Sequence, residues 1–264
     1  MKTILISLAL VVITGCQPFL KNKKPQINNA QQVESNNISD EFSNWVDAVN
    51  KKSVNTIKDF YLPESIKIIS SDSQLSGPAE IAEFYAFQSE DIKSISSLFI
   101  VKANKEKNID YELIKYETLN GKSYAQLLIW KVKNGDKFRE FEFVSEISEE
   151  THNNEKSITE KRNLWVELCN SHNPENLVNT LYSSNSIYFN HKPIIKGQES
   201  LIKEYSYMKD ENYKLNLHPL KMFFVNDNLV YEIGQCEEKY KGKYILVWKK
   251  ESDGEWRVFI DSNV

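Results

Sequence analysis

Few residue types in this 264-residue chain are spaced to do chemistry by themselves. The histidines His152, His172, His191 and His218 show no His-x-His or His-x3-His spacing, and Cys16, Cys169 and Cys236 form no Cys-x-x-Cys pair. No metal site of recognisable ligand spacing is therefore expected. No cofactor is expected either, since Gly-x-Gly-x-x-Gly, P-loop and Gly-x-Ser-x-Gly runs are all lacking. What remains is acid–base chemistry by a side chain that shares the inward phase of its strand. Along Leu229–Cys236 the apolar phase Leu229, Tyr231, Ile233 carries Gln235 inward and sets Glu232, like Glu112 earlier, on a solvated outer face. In the last run Trp256, Val258 and Ile260 share a face, which turns Asp261 outward and makes it a poor base. His191 keeps phase with Ile187 and Phe189 if that strand runs on, so it is the weak candidate base, at a cavity mouth and titrating near neutral pH. A loop histidine ahead of Pro193 is the plainer reading; Ser70 or Ser71 stands at the matching earlier place.

The elements that would position these residues come in two copies. Trp45 and Trp165 are 120 residues apart, as are Gly77 and Gly197, Tyr85 and Tyr205, and Tyr111 and Tyr231. Tyr61 and Tyr182, and Gly121 and Gly242, are 121 apart, while Trp130 and Trp248 are 118 apart. Landmarks kept in one order at nearly one spacing indicate a diverged duplication, with copies over residues 38–150 and 157–264 joined by a polar linker. Within each copy, helical spacing (Phe42, Trp45, Val49; Leu164, Trp165, Leu168) is followed by a short alternating strand. A helix after Gly77 or Gly197 and four long strand-like runs complete the copy. Helices first and a long antiparallel meander after them predict an α+β fold, each copy a curved antiparallel sheet wrapped round helices into a cone with one apolar cavity.

The order of a Trp-bearing helix, Leu-Tyr before a short strand, Gly-x-x-x-Ile/Leu into a further helix, and strands ending in Trp248 and Asp253-Gly254-Glu255-Trp256-Arg257-Val258 resembles the SnoaL-like branch of the nuclear-transport-factor-2-like superfamily. That resemblance implies tandem cones whose cavities host isomerases, dehydratases, cyclases and non-catalytic binders alike, so the fold does not choose among them. Enzymes of the superfamily use an inward acid or base with a Tyr or second acid as partner, and no paired inward carboxylates are read here. The expected function is accordingly non-catalytic binding of a small apolar ligand, or of a protein partner or second copy through the open sheet face. Tyr182, Tyr188, His191, Tyr205, Tyr231, Gln235 and Trp248 are the candidate lining residues, Tyr188 in the phase opposite to His191. The alternative is an isomerase, dehydratase or hydrolase-type enzyme in copy two, with His191 as base and a Tyr hydroxyl as oxyanion donor. A third reading packs copy one sheet-to-sheet on copy two as a scaffold.

The N-terminus supplies an address. Met1-Lys2-Thr3 precedes the apolar run Ile4–Ile13, too short to span a bilayer, and Ile13-Thr14-Gly15-Cys16 resembles the lipobox of bacterial lipoproteins. Residues 1–15 are expected as signal peptide, Cys16 as the lipidated residue and membrane anchor, and residues 16–37 as a flexible tether. An ordinary cleaved leader with a chance cysteine is the alternative. Lys21, Lys23 and Lys24, where an acidic run would mark surface export, favour the periplasmic side of the cell envelope. There Cys169 and Cys236 pair only if their α-carbons lie within about 7 Å. A net charge of −4 supplies no basic field for nucleic acid.

Overall fold

The computed structural model describes residues 40–87, 89–148, 154–238 and 241–264; the expected signal peptide, Cys16 and the tether lie outside the described residues. Helix α1 (Asp40–Asn50) buries Phe42, Trp45 and Val49 along one face, at the spacing that one helical stripe requires. After α2 (Val54–Lys58) come strands β1 (Tyr61–Ile68) and β2 (Gln74–Ser76), helix α3 (Gly77–Phe87), and the meander β3 (Ile92–Asn104), β4 (Ile109–Thr118), β5 (Ser123–Lys133) and β6 (Asp136–Glu146). The second half repeats this order. It has α4 (Glu155–Asn170), α5 (Pro174–Leu181), β7 (Tyr182–Tyr188), β8 (Ile195–Lys196) and α6 (Gln198–Glu204), then a 3-10 turn at Tyr205–Lys209. Strands β9 (Leu215–Asn226), β10 (Leu229–Glu238), β11 (Lys243–Lys250) and β12 (Trp256–Asn263) complete it.

Local chemistry explains the repeated boundaries. Pro174 occupies the first turn of α5 while the Asn173 side chain accepts from the Asn176 amide at 2.9 Å, capping that helix. Gly77 and Gly197 both have φ near 78°, a conformation that a side chain strains, and both lead directly into a helix. That is the physical content of the 120-residue glycine spacing.

The two sheets have the same strand order, β2-β1-β6-β5-β4-β3 and β8-β7-β12-β11-β10-β9. This is the α+β architecture of two tandem cones, with one amendment to the expected antiparallel sheet. β1 runs parallel to β6, and β7 parallel to β12, so both sheets are mixed. Each half has its own core between its helices and one sheet face, built around Trp45, Tyr85 and Trp130 in the first half and Trp165, Tyr205 and Trp248 in the second.

The opposite faces of the two sheets are also covered, by each other. Phe141 stacks on Phe189 at 5.0 Å, and Phe143 lies 5.6 Å from Tyr231 and 5.7 Å from Phe259. The Tyr111 and Ser262 hydroxyls meet at 3.3 Å. A strand buried on both faces carries apolar residues in both phases, and this corrects two readings of β10. Val230 and Glu232 lie on the helix side, whereas Tyr231 belongs to the contact between the sheets and Gln235 accepts from the Lys243 ammonium at 2.9 Å. Glu112 and Glu232, expected on a solvated face, are 4% and 0% exposed.

A second correction comes from bulges. Between β11 and β12 the pairs are Val247 with Ile260 and then Trp248 with Val258, so Phe259 is an extra residue. The bulge breaks the alternation, and Asp261 rather than Ile260 follows Val258 onto the helix-facing side. The same bulge recurs between β5 and β6, where Ile129 pairs with Phe141, Trp130 with Arg139, and Glu140 is extra. Cys169 and Cys236 are both buried and free.

Phe143 sits where the two sheets touch, so Phe143→Ala should lower unfolding free energy by about 3–5 kcal/mol through the cavity it leaves. Urea denaturation followed by tryptophan fluorescence measures this; a loss below about 1 kcal/mol would mean that the sheets do not depend on each other.

Candidate functional site

A cavity in the second half has a volume of about 600 Å³. Its walls are aromatic and aliphatic, with Tyr188, Tyr205, Tyr207 and Tyr213 facing Leu215 and Leu217. Strand β12 supplies Asp261 and α4 supplies Trp165. Glu204 and Asp210 line it as well; a mostly apolar cavity with a few polar groups is the usual form of a small-molecule site.

Asp261 is held by a chain of buried donors. The Trp165 indole N–H donates to the Tyr182 hydroxyl at 2.9 Å, and Tyr182 donates to Asp261 Oδ2 at 2.6 Å. Tyr205 donates to the same oxygen. No hydrogen bond from the described residues reaches Oδ1, on a side chain that lines the cavity. Burial pushes the Asp261 carboxyl up to about 6, and the hydrogen bonds from Tyr182 and Tyr205 restrain that rise. Burial and the neighbouring acid raise both phenols well above their ordinary range, so Tyr182 and Tyr205 stay protonated donors. The chemical capacity of this arrangement is an acid that changes protonation close to neutral pH beside an apolar chamber.

A second buried acid stands apart from this chemistry. Glu232 on β10 accepts from Arg162 through Nε at 2.7 Å and Nη2 at 3.0 Å, from the Tyr244 hydroxyl at 2.7 Å and from the Trp248 indole at 2.9 Å. With four donors and an arginine partner, it is a structural charge pair. Gly234 makes room for it, because a Cβ there would lie 2.1 Å from the Tyr244 ring.

The first half holds the same frame with a different outcome. The Trp45 indole donates to Tyr61 at 3.3 Å, and Tyr85 donates to Glu142 at 2.9 Å, so Glu142 takes the place of Asp261. The register confirms the equivalence, with Lys67 paired to Glu142 and Tyr188 to Asp261 across the parallel strands. Glu142 is enclosed by Arg139 at 3.1 Å, Gln126 at 2.8 Å and Lys67 at 3.3 Å, and the pocket beside it shrinks to about 240 Å³.

Of the residues expected to line a cavity, the structure brings Tyr188 and Tyr205 onto its wall and Tyr182 behind Asp261. Trp248 stands behind Glu232, and Tyr231 lies between the sheets. His191 is not at the cavity mouth. Its backbone turns to φ 62°, and Nδ1 meets Glu140 Oε2 of the first half at 2.7 Å. Asp261 is the residue that strand phase missed. The repeat itself carried a usable signal, since Glu142 and Asp261 stand 119 apart and Glu112 and Glu232 stand 120 apart, at the landmark spacing. Among the described residues no group of three or more His, Cys, Asp or Glu side chains is placed to hold a metal ion, and no helix is long and apolar enough to cross a membrane.

No protein-family model matches the chain, and no curated protein matches it significantly. Among solved structures it is similar to an NTF-2-like protein of unknown function from Shewanella oneidensis MR-1, with 12% identity over 41% of this chain and 97% of that one and a TM-score of 0.37. A domain of unknown function with a cystatin-like fold from Nostoc punctiforme is similar at 14% identity over 44% of this chain and 78% of that one, with a TM-score of 0.36. A putative calcium/calmodulin-dependent protein kinase II association domain from Xanthomonas campestris is similar at 13% identity over 45% and 91%, with a TM-score of 0.34. These likenesses concern fold alone.

The raised carboxyl makes a sign-specific prediction. Below about 3.8 Asp261 is protonated in both folded and unfolded chains; between there and about 6 only the unfolded chain releases the proton, so stability falls as pH rises. The loss attributable to Asp261 is roughly 3 kcal/mol by pH 7. Urea denaturation of wild type and Asp261→Asn at pH 4 and pH 7 isolates it: the variant should gain relative to wild type as pH rises. An equal pH dependence in the two proteins would show that Asp261 titrates normally.

Proposed function

We propose that the chain is an envelope lipoprotein, tethered through Cys16 on the periplasmic side, whose second half binds a small and largely apolar ligand bearing one hydrogen-bond donor. The tether rests on the charged start, the short apolar run and the lipobox-like Ile13-Thr14-Gly15-Cys16. The binding site rests on a single contrast between the halves. Equivalent parallel strand pairs carry Lys67 with Glu142 in one and Tyr188 with Asp261 in the other. The first acid is enclosed by Arg139, Gln126 and Lys67, whereas the second lines a chamber of about 600 Å³ with no basic side chain against it among the described residues. Aromatic walls contribute apolar contact, and Asp261 orients the ligand.

A second reading is favoured by one observation, the Asp261 carboxyl raised to about 6 with Oδ1 left without a donor among the described residues. On that reading the second half is an isomerase or dehydratase in which Asp261, not His191, removes a proton from the bound molecule. Tyr182 and Tyr205 then hold Asp261 in place and do not serve as free oxyanion donors, because both already donate to it.

Native mass spectrometry of the full chain released from detergent tests the binding role. A small-molecule mass that dissociates on denaturation is expected, as is saturable binding of the neutral probe Nile red. Leu217→Trp, which fills the chamber, should abolish both in a folded protein. Neither a released mass nor probe binding by wild type would sink the ligand-binding role.

A further inference from the structure

The smaller pocket of the first half contains a primary amine in an unusual setting. Lys67 on β1 is 2% exposed, yet it lies on the wall of the 240 Å³ pocket together with Phe84, Tyr85, Tyr116, Tyr124 and Val144. Its nitrogen stands 5.0 Å from the Phe84 ring centre, 2.9 Å from the Tyr85 hydroxyl and 3.3 Å from Glu142 Oε1.

Charge counting decides the state of that nitrogen. The sealed cluster contains two basic side chains, Lys67 and Arg139, and one acid, Glu142, all between 0% and 2% exposed. Burying an excess charge costs several kcal/mol. Arg139 keeps its proton and is already paired with Glu142 at 3.1 Å. Proton loss from Lys67 is therefore the step that relieves the excess charge. Burial lowers its proton affinity from the ordinary lysine range against the pull of Glu142, in agreement with the charge count. The other buried acids of this half are engaged elsewhere, Glu112 by the Trp130 indole at 2.7 Å and by Ser97, Glu140 by His191 at 2.7 Å and Asp110 by Lys137 at 3.9 Å.

We propose that this pocket is a carbonyl-capture site in which the Lys67 amine condenses with a small uncharged aldehyde or ketone. The nitrogen lone pair attacks the carbonyl carbon, a C–N bond forms, and the C=O π pair moves to oxygen. Tyr85 lines the pocket and its hydroxyl accepts from Lys67 Nζ at 2.9 Å, so it takes the amine proton while giving its own proton to that oxygen. A second proton transfer expels the hydroxyl as water and leaves an imine, so that amine and carbonyl compound give imine and water with no other reactant. Glu90 and Glu146 also line the pocket, which disfavours keto acids and other anions. The site is independent of the ligand-binding role of the second half.

The test treats the full chain with propanal and sodium cyanoborohydride near pH 7, where every reduced imine adds a propyl group that peptide mapping can place. Lys67 should be modified at least about tenfold faster than the exposed Lys156, because only an amine that has shed its proton attacks a carbonyl. Tyr85→Phe should slow labelling at Lys67 and leave Lys156 unchanged. Labelling of Lys156 with Lys67 untouched would overturn the proposal, and the wild-type peptide map alone decides between these outcomes even if the variant fails to fold.

Discussion

A sheet covered on both faces has to satisfy every charge it carries from within the protein, and that constraint governs both halves of this molecule. Helices close one face of each sheet and the partner sheet closes the other, through Phe141, Phe143, Phe189, Tyr231 and Phe259. Water cannot compensate the acids on these strands. Glu112, Glu142, Glu232 and Asp261 are each at most 4% exposed, and each is surrounded by indole, phenol, hydroxyl, amide or guanidinium donors. The recurring Trp and Tyr residues are those donors as much as they are core.

The halves resolve the same problem with opposite choices. Glu112 and Glu142 in one half stand at the positions of Glu232 and Asp261 in the other, and each half has one buried arginine. In the first half Arg139 on β6 pairs with the inner acid Glu142, so Glu112 is left with neutral donors. In the second half Arg162 on α4 pairs with Glu232, so Asp261 is left with two phenols. Burial raises the carboxyl that lacks a cation in both cases, Glu112 and Asp261 alike. Only Asp261 also lines a large chamber, because Tyr188 occupies the position that Lys67 takes in the first half. A single exchange of cation between strand and helix thus separates a locked acid from an available one.

The duplication, the element order and the α+β class were legible in the sequence, because they depend on landmarks that any working copy of this core needs: Trp45 and Trp165, Tyr61 and Tyr182, Tyr85 and Tyr205, Gly77 and Gly197. The direction of individual side chains was not legible. Phase arguments need one wet face, and β10 has none, so Tyr231 and Glu232 exchanged sides. Alternation also fails at a bulge, and the extra residue Phe259 turned Asp261 inward against its apparent pattern. His191 was misplaced for a third reason, a left-handed backbone that directs its ring to Glu140 of the other half.

These failures share one cause, and it bears on how such a site arises. Local pattern is weakest where long-range packing is strongest, and the acid with chemical capacity lies at that place. Asp261 Oδ2 needs both phenols, and those phenols are fixed by β7, the 3-10 turn after α6, and the Trp165 indole on α4. An acid whose environment is assembled from three distant segments leaves little trace in its immediate neighbours. The duplication is the exception, since it compares the acid with its own counterpart in a fold that has already placed both. The two copies keep the acid and its Trp–Tyr–Tyr chain, and differ in the cations around it. The frame is therefore the part that folding requires, and the choice of cation is the part left open to function.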